Sequence, residues 1–368
     1  MKSSNKIYTY DEVYKLINCD IERIKDYVNH FRLQKIGRNK LSDASVQEIA
    51  SIQSAIKKIS QDICSNEAFP IKQSEIILKK SFSGGEIDSG VSEFVNNRLL
   101  ANCVWINEQE YARMCVNALR TVMTTVASDF GSSRQRDFGQ LWADKTRGYL
   151  GEIAFVKFLK EKWGIDSNLG HDEGTIDEYK LLDIHQVQIN GHWRSPNIKI
   201  GIKATKWNGI WLDIPGAQFN HSDIHVLVKV GTGRDHLFSF FKEISVFKDK
   251  ILRKGVEVGS LNQDEANYLY ESLPSYTNIP AYICGFVKSN EIYTPLSYGG
   301  KKGRTNYTIT AWKGFYDQIR DLDKVKKQES VNKAEFEGIR NFSHSGYVFN
   351  TGNLLWKKND WDSIIEKL

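Results

Sequence analysis

Between residues 181 and 230 the chain carries four short runs in which apolar and polar side chains alternate. They are DIHQVQI (183–189), NIKIGIKAT (197–205), GIWLDIP (209–215) and DIHVLVKV (223–230). An extended backbone turns successive side chains to opposite faces, so a period of two suits a half-buried strand and not an amphipathic helix. Gly191, Pro196, Asn208–Gly209 and Pro215–Gly216 punctuate the runs. The Asn208–Gly209 pair predicts a two-residue hairpin turn between the second and third runs, because both residues accept positive φ. A further run, AYICGFVK (281–288), offers to extend the same sheet. This part of the chain is committed to a sheet, and the rest must be organised around it.

Before these strands the spacing is helical. TYDEVYKLI, DIERIKDYVNHF and DASVQEIASIQSAIKKI place apolar residues three and four apart within residues 8–60, with Asp20 and Ser42 as cap candidates. Between the second and third helices lies LQKIGRNKLS, short, basic and glycine-containing, which reads as a turn or small wing. Helix, turn, helix, basic wing and helix resemble a winged or MerR-type helix-turn-helix over about 50 residues. A small helical cap packed on the rest of the chain is the other reading of the same pattern. The segment SFSGGEIDSG reads as a flexible linker. Residues 105–130 read as a long helix capped by Asn107, residues 130–139 as a basic loop, and residues 141–163 as a second helix. Leu150, Ile153, Ala154, Phe158 and Leu159 form the apolar face of that second helix. GIDSNLGHDEGTIDEYK reads as a polar connection, and the last 80 or so residues as basic loops, aromatics and a final amphipathic helix. The expected organisation is a helical DNA-binding domain over 1–75, a helical connection over 76–140, a core of helix and strands over 141–300 and a C-terminal elaboration over 301–368.

Composition narrows the class. Hydrophobic residues make up 40% and charged residues 26% of the 368, as in an ordinary globular chain. Five scattered cysteines, none in CxxC spacing, offer neither a disulfide framework nor a zinc site. No apolar run is long enough for a membrane span, and MKSSNKIYTYDEVYK lacks the apolar core of a signal peptide, so a cytoplasmic protein is expected. The net charge of +5 permits nucleic-acid binding without demanding it. GxxxxGK[ST], HExxH and GxSxG are all absent, which leaves P-loop nucleotide hydrolysis, metalloproteolysis and α/β-hydrolase chemistry without support.

An aspartate opening one strand and a lysine in the next suit phosphodiester cleavage. The acid can hold a divalent cation and the ammonium can face the phosphate or the attacking water. Asp183 and Lys203 are so placed, with nineteen residues between them, and Glu152 stands in the preceding helix in GEIAFVKFL. The order helix, loop and four strands, with these residues in it, resembles the core of the PD-(D/E)xK nuclease superfamily, and in particular a type II restriction endonuclease. The resemblance covers roughly residues 141–240. It implies an α+β or α/β fold with a mixed central sheet flanked by helices. It also implies that Asp183 is the motif aspartate, Lys203 the motif lysine and Glu152 the helical acid. The chain departs from the motif at Gly201, where the acid of (D/E)xK should stand. Glu152, and after it Asp213, are the candidates for the displaced ligand, with the main-chain carbonyl of Ile202 completing a Mg²⁺ shell. His185, Gln188, Lys206 and Gln218 are of second rank.

Basic residues gather in SSRQR (132–136), KATKWNG (203–209) and SYGGKKGRTNY (297–307). Arg134, Arg136, Lys206, Lys301, Lys302 and Arg304 there, with Arg32, Arg38 and Lys40 of the wing, are candidates for contact with double-stranded DNA. The resemblance further implies a homodimer, since a two-fold protein matches a palindromic duplex. A non-catalytic DNA-binding protein with a degenerate nuclease fold is the alternative, and Gly201 is the residue that favours it. A nuclease of repair or recombination is a third reading.

Overall fold

The structure, a computed structural model, describes residues 6–64, 70–125, 137–169, 183–233, 235–243, 247–290, 296–302, 305–311 and 346–368. The first elements are β1 (Ile7–Thr9), α1 (Tyr10–Ile17), α2 (Ile21–His30), β2 (Lys35–Gly37), β3 (Lys40–Ser42), α3 (Asp43–Asp62), α4 (Pro70–Ser83) and α5 (Val91–Glu93). Then come β4 (Cys103–Ile106), α6 (Glu108–Thr125), α7 (Phe138–Trp163), β5 (Asp166–Leu169), β6 (Ile184–Ile189), β7 (His192–Arg194), β8 (Ile200–Lys206), β9 (Trp211–Pro215) and α8 (Gly216–Phe219). The remainder is β10 (Ile224–Val230), α9 (Asp235–Glu243), α10 (Arg253–Glu257), α11 (Gln263–Glu271), β11 (Ile279–Lys288), β12 (Leu296–Lys302), β13 (Thr305–Ala311), β14 (Gly346–Asn350) and α12 (Lys358–Ile365). The class is α+β. Among the described residues no helix is long and apolar enough to cross a membrane.

The chain forms two compact units, each assembled from separate stretches. The first takes Met1–Asn102, Asn208–Asn220 and Asn290–Trp361, and the second Cys103–Trp207, His221–Ser289 and Asp362–Leu368.

In the first unit the helix starts follow their caps. Thr9 and Glu12 form a reciprocal capping box that opens α1, and Ser42 accepts from Ser45 N to open α3. Asp20 stands at the start of α2 without a side-chain cap bond. The basic segment folds as a hairpin, β2 and β3, turned at Arg38–Asn39 with Asn39 at φ 59°, and β1 joins it in the order β1-β3-β2. A second sheet, β12-β13-β14-β9, belongs to the same unit.

The SFSGGEIDSG segment is not the linker that its glycines suggest. It closes α4 and packs, with Glu86 only 1% exposed and Ile87 buried. Gly352 N donates to Gly84 O at 2.6 Å, an approach of two backbones that a side chain at Gly352 would block. The glycines serve proximity, not flexibility. Beside them Arg98, 3% exposed, donates from Nη2 to Thr351 O at 2.6 Å and lies 5.0 Å from the Trp356 ring.

The second unit is built on a mixed sheet in the order β4-β11-β10-β8. The pair β8–β10 is parallel, and β10–β11 and β11–β4 are antiparallel, so the run at 281–288 does extend the sheet. Helix α7 crosses one face. It starts at Asp137, whose side chain accepts from Gln140 N, and ends at Gly164 in the left-handed region. Its buried residues include the expected Leu150, Ala154, Phe158 and Leu159, with Phe155 added, whereas Ile153 keeps some exposure. Asn107 and Glu110 cap α6, which packs on α7, as the sequence suggests.

Two expectations about strand partners are corrected. The runs around Asn208–Gly209 do not form a hairpin, because β8 pairs with β10 in one unit and β9 with β14 in the other. The two-residue turn falls instead at Asn190–Gly191, with φ 52° and 79°, joining β6 to β7. Residues 166–169, read as part of a polar connection, form β5 and complete the sheet β5-β6-β7. Strand β6 therefore lies in a different sheet from β8.

Candidate active site

The starts of β8 and β10 are clamped together. Asp223 Oδ2 accepts from Lys199 N at 2.7 Å, while Asp223 N and Ile224 N donate to Lys199 O at 2.8 and 3.2 Å. This fixes the parallel register Gly201↔His225, Ile202↔Val226, Lys203↔Leu227, Ala204↔Val228 and Thr205↔Lys229. Partners in register share a face. Ala204 and Val228 meet α7, since a Cβ on Gly151 would lie 2.6 Å from Ala204 Cβ and 3.7 Å from Val228 Cβ. The face away from α7 therefore carries Gly201, Lys203 and Thr205 from β8, and His225, Leu227 and Lys229 from β10.

β8 is an edge strand among the described residues. Asp183 meets its outer edge: Oδ2 accepts from Ile202 N at 2.5 Å. The N–H and C=O of one residue leave an extended strand on the same side, so the Ile202 carbonyl opens towards the edge where Asp183 stands. Burial pushes the Asp183 carboxyl above the usual carboxylate range, and the Ile202 N–H and the positive charge of Lys203 oppose that rise without cancelling it. Lys203 and Asp183 each keep partial exposure. The fold thus brings together two residues with nineteen others between them in the chain, although β6 and β8 belong to different sheets.

The other expected residues fall in several places. Glu152 follows Gly151 on α7, which covers the Ala204 face of the sheet and not the Lys203 face. Asp213 lies on β9 in the first unit, opposite Val348. Lys206 ends β8 exposed; Arg38 and Lys40 are exposed on the wing. His185 is exposed on β6, Gln188 donates to Gly191 O at 3.4 Å, and Gln218 lies on α8 in the first unit. Lys301 and Lys302 stand at the end of β12, whereas Arg134, Arg136 and Arg304 lie outside the described residues.

Two residues on the site face went unread in the sequence. His225 and Lys229 are each 1% exposed, and Lys229 Nζ lies 5.9 Å from the Tyr282 ring centroid. Their signal was present: in DIHVLVKV they share a parity and are the only ionisable side chains inside a strand buried at every residue. A histidine and a lysine at such positions are costly to desolvate, which marks them as more than strand filler.

Among the described residues no cluster of three or more His, Cys, Asp or Glu is arranged to hold a metal ion. Mg²⁺ needs less than that, since one or two carboxylates with waters and substrate phosphate form its usual shell. Asp183 and the Ile202 carbonyl offer such a sparse donor set. The burial cost of the Asp183 carboxylate would be relieved by an adjacent cation. No family model matches the chain, and no curated protein and no solved structure matches it.

Proposed function

We propose that this chain is a Mg²⁺-dependent endonuclease that hydrolyses DNA phosphodiesters, cutting both strands at a short specific site in a restriction system. The observation that carries the reading is the meeting of the Asp183 carboxylate with β8 at Ile202, beside Lys203. An acid and an ammonium at one strand edge, each still partly accessible, suit a phosphate flanked by a cation and a proton-bearing side chain. Asp183 and the Ile202 carbonyl would hold the ion, which would supply Lewis-acid stabilisation of charge on the phosphate. Lys203 orients the phosphate and neutralises part of the charge that develops on its oxygens. Thr205 and Lys229 extend the polar face beyond it. The wing, with exposed Lys35, Arg38 and Lys40, supports duplex binding in the first unit. A homodimer matching a palindromic duplex belongs to the same proposal.

Lys203→Ala and Asp183→Ala test this. Each should lose plasmid cleavage in Mg²⁺ by about two orders of magnitude or more while still shifting duplex DNA in a gel. Cleavage by Lys203→Ala at the wild-type rate would remove the proposal. The second reading, a DNA-binding protein without catalysis, is favoured by Gly201 and by Asp183 being the one carboxylate placed at the Ile202 edge among the described residues. Wild-type protein that shifts DNA but cuts none with Mg²⁺ or Mn²⁺ would establish it.

A further inference from the structure

A carboxylate at position 201 is not simply missing; its place is filled. A Cβ built on Gly201 would stand 2.9 Å from His225 Nδ1 and 2.8 Å from Ser222 Oγ. Both contacts are closer than real Cβ atoms tolerate, so β8 admits only glycine here while His225 keeps its position. The register places His225 beside Gly201, on the sheet face of Lys203 and one residue from the Ile202 N–H that Asp183 engages. His225 is 1% exposed, on the inner strand β10, so its imidazole is shielded from solvent.

We infer that His225 takes the part of the absent acid: its imidazole is the second donor of the Asp183–Lys203 site. This rests on the phosphodiesterase reading above and specifies the donor set of that same site. Imidazole nitrogen is a good ligand for transition cations and a poor one for Mg²⁺, which favours oxygen. A site with one carboxylate, one carbonyl oxygen and one imidazole therefore selects Mn²⁺ over Mg²⁺ more strongly than a two-carboxylate site does. Lys203 stays on the same face to meet phosphate.

The test is a Mn²⁺ titration of the full chain followed by electron paramagnetic resonance of the free ion, with plasmid cleavage in parallel. Wild-type protein is expected to bind one Mn²⁺ per chain and to bind Mg²⁺ more weakly. His225→Ala is expected to weaken Mn²⁺ binding at least tenfold, and Gly201→Asp with His225→Ala to recover most of the loss. The double variant puts a carboxylate into the space that the imidazole leaves, with the Ser222 hydroxyl rotating away. Such recovery would not follow if His225 merely filled volume, and it answers the case in which His225→Ala is poorly folded. Wild-type affinity in His225→Ala, or no recovery in a double variant that melts cooperatively, overturns the inference while leaving Asp183 and Lys203 in place. Failure of wild-type protein to bind Mn²⁺ and to cut DNA would instead overturn the function proposed above, and this inference with it.

Discussion

Two glycines on one helix allow a test of how tightly α7 is pressed onto the strand that carries Lys203. A Cβ at Gly151 would meet Ala204 Cβ at 2.6 Å and Ala204 Cα at 3.5 Å, whereas one at Gly148 meets nothing within 4 Å. Ordinary carbon–carbon contacts lie at 3.5–4.0 Å, so Gly151→Ala is short of room by about 1 Å against an atom with no rotamer to escape through. Replacing a mid-helix glycine by alanine yields roughly 0.8–1 kcal/mol from helix propensity alone. Gly148→Ala should show that gain undiluted. Gly151→Ala should add an overpacking cost of about 1–3 kcal/mol, which turns the gain into a loss. The difference between the two variants cancels propensity and isolates the steric cost. Urea denaturation followed by far-ultraviolet circular dichroism measures it, with equal slopes confirming that the same unit unfolds. Ala204→Gly in the Gly151→Ala background should return part of the difference by removing the opposing methyl. If Gly151→Ala proves as stable as Gly148→Ala, helix and strand are not in contact there, and the assignment of the opposite face to the site loses its basis.

Asp183→Asn should stabilise the metal-free protein at neutral pH. The folded carboxyl binds its proton more tightly than the unfolded one, so wild-type stability falls as pH rises from about 3.9, the unfolded value, through the raised folded value. The gain should therefore vanish at pH 3 and be complete at pH 8 in EDTA; a less stable Asn variant at pH 8 refutes it. Arg98→Ala, which removes the short guanidinium bond to the buried Thr351 carbonyl and leaves it the 3.5 Å Leu354 N–H, should cost roughly 2–4 kcal/mol in urea midpoint measurements, with Arg98→Lys restoring only part. Arg38→Ala and Lys40→Ala should each lower the slope of log K against log salt for duplex binding by about one, uniformly across sequences; an unchanged slope would remove the wing from the DNA-binding surface.

What could be read from the sequence was whatever depends on neighbours in the chain. Alternation marked β6, β8 and β10, and the caps Ser42 and Asn107 marked the starts of α3 and α6, because period and capping are local properties. The pairing of strands is not local. Asn208–Gly209 and Asn190–Gly191 are the same dipeptide between strands, yet only the second bends with positive φ. The flanking runs of the first are claimed by partners about twenty residues away (β10) and more than a hundred residues away (β14). SFSGGEIDSG misled for a related reason, since a glycine needed for close approach to Gly352 looks the same in sequence as one needed for freedom.

The same distinction explains the partial legibility of the candidate site. Asp183 and Lys203 stood out by residue type and by position at or in a strand, and the fold does bring them to one edge through Ile202. Gly201 stood out as a departure, and as a sequence fact it could only be read as a loss. Its meaning depends on which residue of β10 lies opposite, and that is set by the clamp of Lys199 on Asp223, two residues before each strand position in question. A clamp displaced by one residue would present Ile224 or Val226 to Gly201, and an apolar side chain would stand where the imidazole is. With the clamp where it is, the only histidine in the strand fills the space above the only glycine in its neighbour. The absence in one strand and the presence in the other are a single structural feature, and register is the physical quantity that joins them.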